Sequence, residues 1–172
     1  MLEKLKTYRS IRKYEEKPVD DEVLKTLLGA ALLAPSSRGL RSWEFVVVTD
    51  PDLKNKLSKA KIGGGGFLKD APVVVVVMAD PAVSDVWVED CSIAAYTIQL
   101  CARDQGLGSC WAQIRLRKDG DGVDAEENVR QILQIPAKYS VDSIIAIGHP
   151  AEEKDPYTQT DMDWTKIHYN SY

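Results

Sequence analysis

Cysteine and histidine are scarce in this 172-residue chain: three of the first (Cys91, Cys101, Cys110) and two of the second (His149, His168). There is no Cys-x-x-Cys pair and no His-x-x-x-His pair, so no metal site and no disulfide framework is expected, and the thiols read as reduced core residues of a cytoplasmic protein. Long apolar runs are missing too. Nothing approaches the roughly 20 apolar residues of a bilayer-spanning helix, and the start, Met1 to Leu5, lacks the apolar core of a secretion signal. A basic surplus is also absent. The net charge of -4 and the pI near 5.3, with Lys and Arg scattered along the chain, argue against nucleic-acid or anionic-membrane partners. No Walker loop occurs, and Ser36 and Ser37 lack the G-x-S-x-G context of a hydrolase nucleophile. Gly106-Leu107-Gly108 begins like a dinucleotide fingerprint, but Trp111 stands where its third glycine would fall, and it ends a helix rather than opening one.

What is present suits one globular domain over residues 1–172: 44% apolar and 28% charged residues, with no internal repeat or interdomain linker. Asp20 or Asp21 caps a helix reaching about Leu33 before Pro35, and Asp50-Pro51 opens another that fades into Gly63 to Gly66. Residues 44–49 read as a buried strand, and 73–78, apolar and β-branched throughout, as a central strand covered on both faces. A long helix over 86–105 presents Cys91, Ala94, Ala95, Ile98, Cys101, Ala102 and Gln105 on one inward stripe, whose small residues admit another backbone closely. Residues 109–114 and 143–147 supply two more strands, and Asp124 with Glu127 resembles a capping box for a helix reaching Leu133. Alternating helices and strands imply an α+β or α/β fold.

Three short strings carry the chemistry. Tyr8-Arg9-Ser10-Ile11-Arg12-Lys13 offers two guanidinium forks and a hydroxyl, the donors that a phosphate takes. Pro35-Ser36-Ser37-Arg38 leads through Gly39, Arg41 and Ser42 to Trp43 and a strand, and Gly106-Leu107-Gly108-Ser109 follows the long helix. Glycines there would let main-chain N–H groups approach a flat ring; a helix end followed by a turn explains them equally well.

In this order and spacing the strings resemble the FMN-dependent nitroreductase-like family, from about Leu5 to Tyr169. The resemblance implies a three-layer α/β/α sandwich around a mostly antiparallel sheet, an intertwined homodimer with two flavin sites at its interface, and bound FMN reduced by NADH or NADPH. The electrons would then pass to a small-molecule acceptor such as a nitroaromatic or quinone. It assigns FMN contacts to Arg9, Ser10 and Arg12, to Pro35, Ser36, Ser37, Arg38 and Arg41, to Gly106, Leu107 and Gly108, and to Lys166 and His168 near the C-terminus. Gly66 and Phe67 fall where the family places a flexible edge of the substrate pocket. No side chain is expected to be a catalytic acid, base or nucleophile, because the flavin carries the chemistry. Tyr8, Gly39, Arg41 and Ser42 depart from the family's usual Arg, Asn, Gln and Pro; a cation at Arg41 or Arg38 beside the pyrimidine edge would favour the anionic reduced flavin. A flavin-binding module without turnover, or a family variant that fragments flavin or removes halogen, is the alternative.

Overall fold

Every residue of Val73–Ala79 (β2) is buried. A strand with β-branched residues on both faces has no solvent side and must be covered twice. The computed structural model, which describes residues 1–172, shows how this is done. β2 pairs antiparallel with Trp43–Val48 (β1) on one side and Ser140–Gly148 (β4) on the other. Gly108–Gln113 (β3) closes the far edge of β4, giving an antiparallel sheet of order β1-β2-β4-β3. Val73, Val75, Val77 and Ala79 meet Ile145 and Ile147 beneath Asp21–Leu32 (α2) and Trp87–Asp104 (α4). The alternate positions, Val74, Val76 and Met78, meet Ile144 and Ala146 beneath Pro51–Leu57 (α3) and Ala125–Leu133 (α5). Leu2–Thr7 (α1) precedes them. This is the expected sandwich of helices, antiparallel sheet and helices.

Local chemistry sets the boundaries. The Asp20 carboxylate accepts from the N–H groups of Glu22 and Val23 to start α2, and Asp50 accepts from Leu53 N–H with Pro51 in the first turn of α3. α4 ends in a paired wrap: Gly106 N–H donates to the Arg103 carbonyl (3.1 Å) and Leu107 N–H to that of Ala102 (2.9 Å). Gly106 takes φ +73, the left-handed conformation that such a stop requires. The helix-end reading of Gly106 therefore accounts for its identity.

Three expectations need correction. β1 is an edge strand, with Glu44 and Val47 exposed; its Phe-Val-Val-Val centre looks like an interior strand in sequence, but it pairs with β2 alone. The Asp124–Glu127 capping box does not form, because Asp124 pairs with Lys118 (3.5 Å) and Glu127 with Arg130 (2.6 Å). Gln105 is exposed rather than inward, since the chain leaves the helix there; the buried polar positions of α4 are Asp90 and Gln99 instead.

Candidate functional site

The segment after α1 lies along the start of β3: Ser10 bridges to Ser109, and Ile11 N–H donates to the Ser109 carbonyl at 3.0 Å. Extended chain sends successive side chains to opposite sides. Arg9 and Ile11 accordingly line a cavity of about 330 Å³ shared with Arg103, Leu107, Gly108 and Lys154. Ser10 faces the other way, against the Cys110 thiol, and Arg12 places its guanidinium 5.9 Å over the Phe67 ring. The expected anion motif is thus split into two faces, Arg9 on one and Ser10 with Arg12 on the other. Arg9 also donates to the Asp155 carbonyl and sits 4.5 Å over the Tyr157 ring. Tyr8 turns its hydroxyl into α4, donating to Gln99 at 2.7 Å, and burial pushes its phenol up to about 12.

The loop is held by a residue that sequence reasoning missed. One Glu152 oxygen accepts from the main-chain N–H of Arg12 (2.6 Å) and of Lys13 (3.2 Å), and the other meets Lys154 (2.9 Å). Those contacts, the Arg12 N–H first, pull the Glu152 carboxyl down to about 2. Glu152 is 140 residues from Arg12 along the chain, and no motif announces it. Gly108 has a packing role here too: a Cβ on it would stand 2.8 Å from the Cβ and Cγ2 of Ile11, so glycine lets the segment dock.

β3 is the outermost strand on its side of the sheet. Because the Ser109 carbonyl faces Ile11, antiparallel alternation also points the main-chain groups of Trp111 and Gln113 away from β4. Their side chains are tied down: Trp111 Nε1 donates to Gln113 Oε1 (2.9 Å), and Gln113 Nε2 donates to the Arg115 carbonyl (3.1 Å). An open strand edge next to Ser10 and Arg12 offers main-chain donors and acceptors to a flat heteroaromatic ring. Lys61 and Arg117, also unanticipated, stand near this edge. Burial first, then the charge of Arg117, lowers the Lys61 ammonium, and Lys61 shares the Cys110 environment with Arg12.

The residues from Pro35 to Arg41 lie elsewhere. Ser37 N–H donates to the buried Asp90 carboxylate (2.8 Å), whose other oxygen accepts from Ser84 (3.1 Å). Asp90 thus anchors this loop. Ser36 Oγ accepts from Arg41 N–H (3.0 Å), and Arg38 is committed to Asp85. Arg38 (φ 52), Gly39 (φ 67) and Arg41 (φ 49) all sit in the left-handed region, strain that is costly for arginines and common at ligand-binding loops. Asp90 lies in the first turn of α4 and Arg103 in its last, so at 1.5 Å per residue this loop and the Arg9 cavity are about 20 Å apart within one chain.

The glycine run is not uniform. Gly63 and Gly64 take positive φ, whereas Gly65 is buried, its Cβ position 2.9 Å from the Ser58 carbonyl oxygen, and Gly66 opens a 3-10 turn carrying half-buried Phe67. Lys166 and His168 are not brought to Arg9. Lys166 ends a 3-10 turn near Asp163 (3.9 Å), and His168 packs on Tyr172 (4.3 Å) in an exposed tail, so the extended alternation that would align them is absent. No group of His, Cys, Asp and Glu is placed to hold a metal.

Comparison with known proteins decides the family. A profile of the nitroreductase family matches residues 5–65 and 61–149. The chain belongs to the nitroreductase family. A solved structure described as an FMN-dependent nitroreductase from Clostridium difficile is 50% identical and superposes with a TM-score of 0.98 over 100% of both chains. A relative from Archaeoglobus fulgidus, provisionally named an NADH dehydrogenase/NAD(P)H nitroreductase, is 38% identical over 164 residues, 93% of this chain and 91% of its own. The NADPH:FMN oxidoreductase from Vibrio harveyi, solved with NAD+, shares the fold at 24% identity and a TM-score of 0.83, covering 99% of this chain and 77% of that one.

Proposed function

We propose that this nitroreductase-family protein is an FMN-dependent NAD(P)H oxidoreductase, with residues 1–172 acting as one domain. The observation that carries the reading is the open edge of β3, with main-chain groups of Trp111 and Gln113 facing outward beside Ser10, Arg12 and Phe67. Donors and acceptors of a strand edge suit the pyrimidine rim of a flavin, and the hydroxyl of Ser10 with the cation of Arg12 suits its polar chain. When bound there, FMN would supply the redox chemistry that links NADH or NADPH to a nitroaromatic, quinone or similar small acceptor. The chain's own task is to hold, orient and tune. Glu152 fixes the main chain of Arg12, Gly108 lets that segment dock, and the Trp111–Gln113 hydrogen bond holds those two side chains in place along the edge.

Of the other expected contacts, Pro35, Ser36, Ser37, Arg38 and Arg41 belong on this reading to a second copy, because about 20 Å of α4 separates them from the Arg9 cavity within one chain. An exposed apolar tail supports a homodimer: Trp164 is 66% and Tyr169 82% exposed, which a lone chain would not favour. Lys166 and His168 ride on that tail and would reach flavin only once it is docked. Light scattering is expected to give twice the mass of one chain with one FMN bound per chain; a flavin-loaded monomer would sink the shared site. The free thiols Cys91, Cys101 and Cys110, and the use of a nicotinamide reductant, accord with a cytoplasmic enzyme.

The decisive experiment is the visible spectrum with added FMN before and after anaerobic NADH or NADPH. A bound-flavin spectrum that bleaches is the expected result. Flavin that binds without bleaching would leave a binding module, and a protein that takes up no flavin would end the proposal.

A further inference from the structure

Three cations near the β3 edge have no carboxylate partner. Arg12 touches acid only through its main-chain N–H, and neither Lys61 nor Arg117 belongs to any of the ion pairs that the fold makes. Three of the acids around them are already committed. Glu152 is taken by main-chain N–H groups and Lys154, Asp119 by Asn128 Nδ2 (2.9 Å) and the N–H groups of Asp121 and Val123, and Asp124 by Lys118. The two loops that carry Lys61 and Arg117 are joined: Ile62 N–H donates to the Lys118 carbonyl at 2.8 Å, and Asn128 Nδ2 donates to the Ala60 carbonyl at 3.1 Å. On the same loops Ile62 is 73% and Leu116 77% exposed, and Leu116 holds φ 58, which an unconstrained leucine avoids. Lys61 is half-buried and feels Arg117 as a repelling neighbour. Like charges on tied loops, Lys61 half-buried and Arg117 exposed, add up to a positive potential that attracts an anion.

We infer that the second substrate of this site is an anionic, partly apolar molecule, its negative group held by Lys61 and Arg117 and its apolar part by Ile62 and Leu116. The inference rests on the flavin reading above, in which Ser10 and Arg12 serve the cofactor and leave Lys61 and Arg117 to its reaction partner. The anionic group has two sources: the extra phosphate that distinguishes NADPH from NADH, or a carboxylate or sulfonate on the acceptor ring.

Steady-state kinetics separate them. One arm compares NADPH with NADH at a fixed neutral quinone; the other compares para-nitrobenzoate with para-nitrobenzyl alcohol at a fixed reductant. In at least one arm the anionic member is expected to show a kcat/KM about tenfold higher or more at low salt, and the arm that responds identifies the source. The preference should shrink toward unity in the K61Q/R117Q double variant and at about 0.5 M salt. The FMN dissociation constant and turnover of the neutral substrates should stay within about threefold of wild type. Flavin reduction with no charge preference in either arm would overturn this inference alone. So would a preference that survives in the double variant, or loss of FMN binding there, which would assign the charges to the cofactor. A wild-type protein that takes up no FMN would overturn the parent reading and this one together.

Discussion

Replacing Gly148 by alanine is expected to cost about 3 kcal/mol and to lower the melting temperature by about 10 °C. Gly148 ends β4 opposite Gly108, and a Cβ there would lie 2.4 Å from Pro72 Cδ and 2.9 Å from Tyr14 Cδ1. Neither neighbour can retreat. Pro72 is a rigid ring at the mouth of β2, and its carbonyl accepts from the buried Lys54 ammonium at 3.1 Å. Tyr14 is buried, bridges to Pro150 and donates its hydroxyl to the Ile11 carbonyl at 2.5 Å. Through Tyr14 the added methyl would also push on the segment that carries Ser10 and Arg12, so flavin affinity should fall with stability. Gly29→Ala is the control: nothing lies within 4 Å of its Cβ position inside α2, and alanine there should stabilise by up to about 1 kcal/mol. Thermal unfolding followed by circular dichroism gives both values, and a Gly148→Ala protein as stable as wild type would refute the packing argument.

That contrast shows which glycines the sequence makes intelligible. Gly106 at a helix end is readable from its position, because the stop needs a left-handed residue and the helical pattern ends there. Gly108 and Gly148 are not, because the atoms that exclude a side chain, from Ile11, Pro72 and Tyr14, come from distant parts of the chain. The same division runs through the fold. The all-buried β2 announced its two covering layers, whereas β1, apolar at every position but Glu44, gave little sign that it lies at the edge. In the candidate site, Arg9, Ser10 and Arg12 stood out as donors, but their split between two faces depends on how the segment docks on β3. Glu152, Lys61 and Arg117 carry no motif at all. They are ordinary charged residues until the topology sets them beside that segment, and the unpaired state of the two cations exists only in three dimensions. Lys166 and His168 illustrate the reverse, a motif visible in sequence whose residues one chain alone does not bring to Arg9.

Asp142→Asn is expected to stabilise the protein by about 2–3 kcal/mol at pH 8 relative to its effect at pH 4. Asp142 lies on β4 with 1% of its surface exposed, and its Oδ2 has no hydrogen-bond partner. Burial is the main cause that raises its carboxyl to about 6; Ser143 and Arg115 draw it down, and Glu126 pushes it further up. The unfolded chain releases this proton near pH 3.9. Between that value and about 6 the native state binds more protons than the unfolded one, so this group's contribution to stability falls as pH rises through the window and stays low above it. Asparagine keeps the shape and cannot ionise, so any fixed cost of its amide is the same at both pH values and cancels in the comparison. Urea titrations of both proteins at pH 4 and pH 8 supply the measurement, and a stability gap identical at the two pH values would overturn the assignment. The penalty sits where it has structural leverage. The Asp142 carbonyl receives the N–H groups of Ile114 and Arg115, the last rungs that hold the end of β3 against β4. Relieving the buried charge should therefore tighten the open edge of Trp111 and Gln113, so the stabilised variant is also expected to bind flavin no more weakly than wild type at pH 8.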